Sequence, residues 1–322
     1  MKQTGFAVLA IAIVAGLLPT FLSKFGIYLA TEMIIFGIFA MSLGLIMGYG
    51  GMPSLGHSAF LGLGAYTVGI LSNFTTNTYV LLAAAVVISG IFAYLSGLIA
   101  IRNKGIFFLM ITLAFAQMLY LMATKMRAWG GADGMGVKIT ANFGFGDLTG
   151  TNLYFVVLVF FLLCYALLKF FVGSPVGKAL KGTMENEHRM EALGYNTRHY
   201  KVLAYTLAGA MAGLAGALYV YKTRFVSPDI LGLAISSEVM IMVFVGGIGT
   251  LFGPVIGAAT FIALQNYVST YTDRWSLIMG IVFIAIVLYG RGGLISFFKT
   301  AIQSLIRKKG KSIELTESRE SK

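Results

Sequence analysis

Few side chains in this chain could do chemistry, and most of them lie in one polar stretch, Thr183–Lys201, which reads TMENEHRMEALGYNTRHYK. It contains Glu185, Glu187 and Glu191, two of the chain's three histidines, and the cations Arg189, Arg198 and Lys201. These residues are not arranged for catalysis. His57, His188 and His199 lack a carboxylate or cysteine at metal-ligand spacing, and no H-E-x-x-H, Cys/His zinc pattern or G-x-S-x-G is present. A nucleotide-binding P-loop is absent as well, because Gly173-Ser174-Pro175-Val176-Gly177-Lys178 has the wrong spacing. The polar stretch therefore reads as a docking surface. Glu187 and Glu191, four residues apart, share one face of a short helix. Met184, Met190, Ala192 and Leu193 add apolar contact area, and Gly194 fits a helix stop. The competing reading is a solvated loop lying on lipid headgroups.

What surrounds this stretch decides where it sits. Hydrophobic residues make up 58% of the 322 residues and charged residues 11%, too few to coat a soluble fold, which typically carries about 25%. Continuous apolar runs reach the roughly 20 residues needed to cross a bilayer, whereas a β-barrel would show short alternating segments. The fold class is all-α: a polytopic helical membrane protein of about ten transmembrane segments, some broken or re-entrant. The segments fall at 6–23, 27–47, 55–73, 79–101, 105–124, 152–172, 202–221, 236–249, 253–270 and 275–290. Lys2 followed by the apolar run from Phe6 resembles a signal peptide, but no small-x-small cleavage site follows, so the run reads as a retained first span. The segment at 236–249 is short for a full crossing.

Basic residues set the orientation. With the N-terminus inside, 17 of the 24 Lys and Arg fall on the inner side, as cytoplasmic loops prefer. Both termini are then cytoplasmic, as is the 173–201 loop, while the 125–150 loop is external. The same rule accounts for the net charge of +12 without nucleic acid. Residues 1–306 form the transmembrane domain, and the basic 307–322 tail is expected to be disordered. Cys164, the single cysteine, lies in an apolar run and reads as a buried small side chain.

Inside the apolar segments, Gly209 and Gly213 have the G-x-x-x-G spacing that lets helices approach closely. Gly50–Leu55 and Gly246–Leu251 share the pattern G-G-x-x-[ST]-L, a possible internal repeat. The polar residues in or near membrane segments that could line a path are Ser54, His57, Gln117 and Glu238. Glu32 and Glu238 are the intramembrane acids, and neither has an obvious cationic partner in sequence. For both acids an interfacial position competes with the path reading, and for Gln117 an interhelical hydrogen bond does.

Four stretches together carry a resemblance. ENEHRMEALGYNTRHYKVLAYTLAGAMAGLAGAL, GYGGMPSLGHSAFLGLGAYT (48–67), RNKGIFFLMITLAFAQ (102–117) and SSEVMIMVFVGGIGTLFGPVIGA (236–258) resemble permease subunits of ABC-type branched-chain amino acid importers, in the M-type version. In that family an E-A-x-x-x-G-like loop docks into the ATPase. Glu191, Ala192 and Gly194 occupy a shortened version, with one residue between Ala and Gly instead of three. The resemblance implies Glu185, Glu187, Glu191, Ala192 and Gly194 as the ATPase-coupling loop. It implies three kinds of partner besides membrane lipid: a second related permease, two ATP-binding subunits that hold ATP and Mg, and an extracytoplasmic solute-binding protein. It also implies a bacterial or archaeal plasma membrane, with leucine, isoleucine and valine as the solutes. Urea or short-chain amides are the alternative cargo. From another class, an ion-coupled secondary transporter remains, with Glu32 and Glu238 as its only intramembrane acids.

Overall fold

The computed structural model describes residues 22–139, 150–272 and 274–289, together with Gly16 and Pro19. The expected first span at 6–23 and the 307–322 tail lie essentially outside these residues, as does part of the 125–150 loop. The described chain is helical apart from one pair of two-residue strands.

Two long helices form the centre. Helix α1 (Lys24–Gly48) starts at Ser23, whose hydroxyl accepts from Gly26 N–H at 3.2 Å, and every residue from Ile35 to Gly48 is buried. Helix α8 (Thr197–Thr223) is capped by Asn196, which accepts from His199 N–H at 3.1 Å, and it is as deeply buried as α1. Around them lie α3 (Thr78–Ala100), α4 (Ile106–Lys125) and α5 (Thr151–Gly173). Each turns an apolar stripe outward, for example Val87, Ile91 and Leu95 on α3. A stripe recurring every three or four residues on a helix of 20 to 23 residues is what lipid contact requires. Cys164 on α5 is buried, as expected.

Among the described residues five helices, α1, α3, α4, α5 and α8, are long and apolar enough to cross a membrane; of the ten segments expected, the first lies outside these residues. Two of the expected segments form helices too short to cross. The run at 55–73 is helical only as α2 (Ser58–Leu71), and the run at 236–249 is shifted to α9 (Leu233–Gly246). Each has 14 residues, a length of about 21 Å that does not cover a hydrocarbon core of about 30 Å. Helices α10 (Gly253–Ser269) and α11 (Trp275–Tyr289) complete the described bundle.

The short helices belong to an inverted repeat. In α1–α2–α3 and in α8–α9–α10, a long core helix leads through non-helical chain to a 14-residue helix and then to a third helix. The packing follows the same exchange: α3 lies on α8 as α10 lies on α1, and α2 contacts α3 and α8 as α9 contacts α10 and α1. Helices α1 and α8 run antiparallel, since Glu32 early in α1 meets Lys222 late in α8. Such inverted repeats with interrupted helices are a transporter architecture. The echo between 50–55 and 246–251 is not the repeat relation, because the first turn links α1 to α2 and the second links α9 to α10. The two turns instead meet in space, with Gly48 packed against Gly249.

Glycine makes the close crossings possible. A Cβ on Gly64 of α2 would overlap the carbonyl of Gly213 on α8, and one on Gly209 would overlap Ala93 of α3. The 209–213 spacing thus serves helix packing, as expected. At the end of α8, β2 (Phe225–Val226) pairs antiparallel with β1 (Met135–Gly136), which joins the loop after α8 to the 125–150 loop expected on the external side.

Candidate functional site

The polar stretch forms two short helices instead of one. Helix α6 (Pro175–Glu185) is started by Ser174, whose Oγ accepts from Gly177 N–H at 3.2 Å, with Pro175 at a position where its missing N–H costs nothing. Asn186 is extended and breaks the helix, then caps α7 (Glu187–Ala192) by accepting from Arg189 N–H at 2.9 Å. Gly194, at φ +84°, ends α7: Gly194 N–H reaches Glu191 O and Tyr195 N–H reaches Met190 O at 3.0 Å. That pattern is a left-handed helix stop for which glycine is suited.

The three glutamates have different environments. Glu187 Oε1 lies 2.6 Å from Lys201 Nζ, and Glu187 Oε2 lies 2.6 Å from Lys104 Nζ. Burial works against the charge on Glu187, but the bonds from Lys104 and Lys201 more than offset it and hold the carboxyl below the usual carboxylate range. Lys104, bonded to Glu187, is correspondingly raised. Glu191 is half exposed; it accepts from Thr197 Oγ1 at 3.1 Å and lies 3.7 Å from His188 Nδ1. Glu185 and Ala192 are exposed, as are Leu193, Tyr195 and Met184 beside them. One face of the element is thus tied to the bundle, and the other is an open surface of mixed acidic and apolar character. Lys201 stands among the cations of the polar stretch, but the sequence did not pair either lysine with Glu187. Lys104 could have been found, as a cation in the sharp Arg102–Gly105 turn.

The second set of candidate residues lies where the repeat is broken. Ser58 at the start of α2 donates its N–H to Ser236 Oγ of α9 at 3.0 Å, and Ser236 Oγ bonds Ser58 Oγ at 2.7 Å. Ser58 Oγ also donates to Leu231 O at 3.0 Å. The starts of the two short helices therefore meet inside the bundle. His57 is fully buried, with Nε2 2.8 Å from Ser42 Oγ and its ring stacked on Phe39 at 5.4 Å. Ser54 is also fully buried; its Oγ accepts from Gly56 N–H at 3.3 Å, and the Tyr205 hydroxyl bonds both Ser54 and Ser96. Ser54 and His57 are thus brought into one buried polar zone with Ser42, Ser58, Ser236 and Tyr205. Glu238 is half-buried on α9, two residues beyond Ser236, and makes no ion pair among the described residues. Gln117 is half-buried on α4, and its side chain makes no hydrogen bond among the described residues. Sequence reasoning missed Ser42, Ser58 and Ser236, because serines in apolar helices are common and only their juxtaposition sets these apart.

At the opposite end of α8, Glu32 has the cationic partner that the sequence did not reveal. Lys222 Nζ lies 2.5 Å from Glu32 Oε2 and 3.7 Å from the centroid of the Tyr28 ring.

Apolar outward faces, an inverted repeat interrupted by two short helices, and a polar two-helix element at one end define a multi-pass membrane transport protein. Residues 25–287 match the family described as the branched-chain amino acid transport system / permease component, and the chain belongs to that family. It is 24% identical over 321 residues to the high-affinity branched-chain amino acid transport system permease protein LivM of Salmonella typhimurium, covering 92% of this chain and 75% of that protein. The LivM protein of Escherichia coli is 25% identical over the same shares. A probable branched-chain amino acid transport permease protein LivM of Methanocaldococcus jannaschii is 22% identical over 76% of this chain and 82% of its own length. No solved structure matches the chain significantly.

Proposed function

We propose that this chain is one of two membrane subunits of an ATP-driven, high-affinity importer for leucine, isoleucine and valine in a bacterial or archaeal plasma membrane. A second related permease completes the pathway, two ATP-binding subunits hold ATP and Mg, and an extracytoplasmic solute-binding protein delivers the solute. The observation that carries this reading is the surface of α6 and α7. Exposed Met184, Leu193 and Tyr195 beside Glu185 and Glu191 offer a compact docking patch on an otherwise lipid-adapted protein. Ala192 and Gly194 shape its end. Family membership supports both the partner set and the amino-acid cargo. The solute path runs past the zone where α2 and α9 meet, with Ser54 and His57 at its centre and Gln117 and Glu238 along it.

The ion-coupled alternative needs free intramembrane acids. With Glu32 committed to Lys222, that reading retains Glu238 alone. Urea or short-chain amides remain the alternative cargo within the importer reading.

Pull-down of the tagged chain from native membranes in mild detergent, followed by vesicle uptake of labelled leucine, tests the proposal. Co-purified ATP-binding subunits and vanadate-sensitive uptake are expected. A chain that purifies alone, with uptake that survives loss of ATP and collapses with the ion gradient, overturns it.

A further inference from the structure

Glu187 was grouped with the docking residues, but its geometry gives it another task. Both carboxylate oxygens are engaged, each at 2.6 Å and each by a lysine from a different part of the bundle. Lys201 lies in the second turn of α8, the buried core helix, and its side chain is 11% exposed. Lys104 lies in the turn between α3 and α4, next to Gly105 at φ +57°, where α4 begins. Helix α7 buries no residue of its own and is joined to α6 through the extended Asn186. Apolar packing therefore holds α7 to the bundle weakly, while two charge-assisted bonds from one carboxylate hold it firmly. Thr183, three residues before the break at Asn186, makes its side-chain bond within α6, to Ala179 O at 2.9 Å. A cavity bounded by Gly51, Pro53, Lys104, Glu185 and Lys201 opens beside the element, which touches the α1–α2 turn through Met184 against Gly51. Glu191 accepts from Thr197 Oγ1 at 3.1 Å and so ties α7 to the start of α8 alone, whereas the Glu187 clamp joins α7 to the α3–α4 turn and to α8 at once.

We propose that Glu187 is a positioning residue which locks α7 to the α3–α4 turn and to the start of α8, so that a displacement of α7 moves α4 and α8 with it. This rests on the importer reading, in which ATP-binding subunits push on α7, and it takes Glu187 out of the contact surface with them. Glu185, Glu191 and the exposed apolar residues remain that surface.

The test uses the chain purified with its ATP-binding subunits, spin-labelled at Asn103→Cys and His188→Cys. Both positions are exposed, whereas the native Cys164 is buried and escapes labelling. In the otherwise native chain the distance between the labels should be narrow and unchanged on adding ATP, Mg and vanadate. In E187Q, with the ATP-binding subunits still attached, the distribution should at least double in width and shift with nucleotide. K104M, altering a side chain that is 61% exposed, should fold whatever becomes of E187Q and should loosen the same distance to a smaller extent. A nucleotide-dependent distance in the native chain, or E187Q and K104M distributions that superimpose on it, overturns the proposal. Loss of the ATP-binding subunits on making E187Q also overturns it, by returning Glu187 to the contact surface. If the native chain carries no ATP-binding subunits, the importer reading fails, and the joint with it.

Discussion

The Glu32–Lys222 pair gives the most direct quantitative test of how these helices are held. The two charges are 2.5 Å apart; the Lys222 side chain is 2% exposed and that of Glu32 is 25% exposed. At an effective dielectric near 20, two unit charges attract by about 4 kcal/mol at about 4 Å and by about 6–7 kcal/mol at this separation. Removing one member of a buried pair typically costs about 3–5 kcal/mol, because the other charge is left without a partner. In E32Q that stranded charge is the more buried one. Two features reduce the cost: the quarter exposure of Glu32, which admits solvent screening, and the Tyr28 ring 3.7 Å from Nζ, which keeps about 1–2 kcal/mol of cation–π attraction. E32Q should therefore lose about 2–3 kcal/mol of stability. K222M leaves the better-solvated member behind and should lose about 1–2 kcal/mol. The double variant E32Q/K222M strands no charge and should be less destabilised than E32Q alone, giving a coupling energy of about 2 kcal/mol. Equilibrium unfolding in mixed micelles, read by tryptophan fluorescence across the four members of the cycle, measures this. If E32Q is no worse than the double variant, the pair is not a buried charge clamp and the argument is refuted.

Other consequences follow from the same structure. Gly64→Val places a side chain against the Gly213 backbone, which cannot swing aside, and should cost about 3 kcal/mol or more, seen as loss of monodisperse protein on size-exclusion chromatography. Gly194→Ala meets no atom within 4 Å, yet it forces an L residue to φ +84° and should cost about 1–2 kcal/mol. Gly194→Asn should cost less, and amide exchange at Tyr195 would report the fraying in both. The Glu187 clamp also sets a pH window. The folded carboxyl is held below its ordinary 4.5, so its contribution is complete above that value and is lost as pH falls through the lower folded value. The Lys104 contribution is complete below 10.5 and is lost as pH rises past the raised folded value. The stability difference between native chain and E187Q should thus be flat from about pH 5 to 10 and shrink below it. A difference that changes across neutral pH would contradict the clamp.

Composition and hydrophobic run length were enough to read an all-helical membrane protein, because the bilayer imposes a length and an apolar content that no soluble fold needs. The polar stretch was legible for the same reason: charge in an apolar chain stands out, and Gly194 marks its helix stop whatever the tertiary context. The positions of G-x-x-x-G anticipated a tight crossing, since only small residues allow backbones to meet.

Tertiary structure decided the rest. The run at 55–73 looks like the other apolar segments, and the run at 236–249 differs from them only in its shortness, because a helix that stops inside the protein and one that crosses lipid both face apolar surroundings. Their 14-residue helices and the meeting of Ser58 with Ser236, 178 residues apart, set both apart. Ion pairing was hidden for the same reason. Glu187 selects Lys104 and Lys201 over the nearer Arg189, and Glu32 finds Lys222 at a separation of 190 residues. A charge near the membrane announces in sequence that it needs a partner, but which partner it gets depends on which helices pack together, and that is set by the summed shape of many small apolar contacts with no local signature.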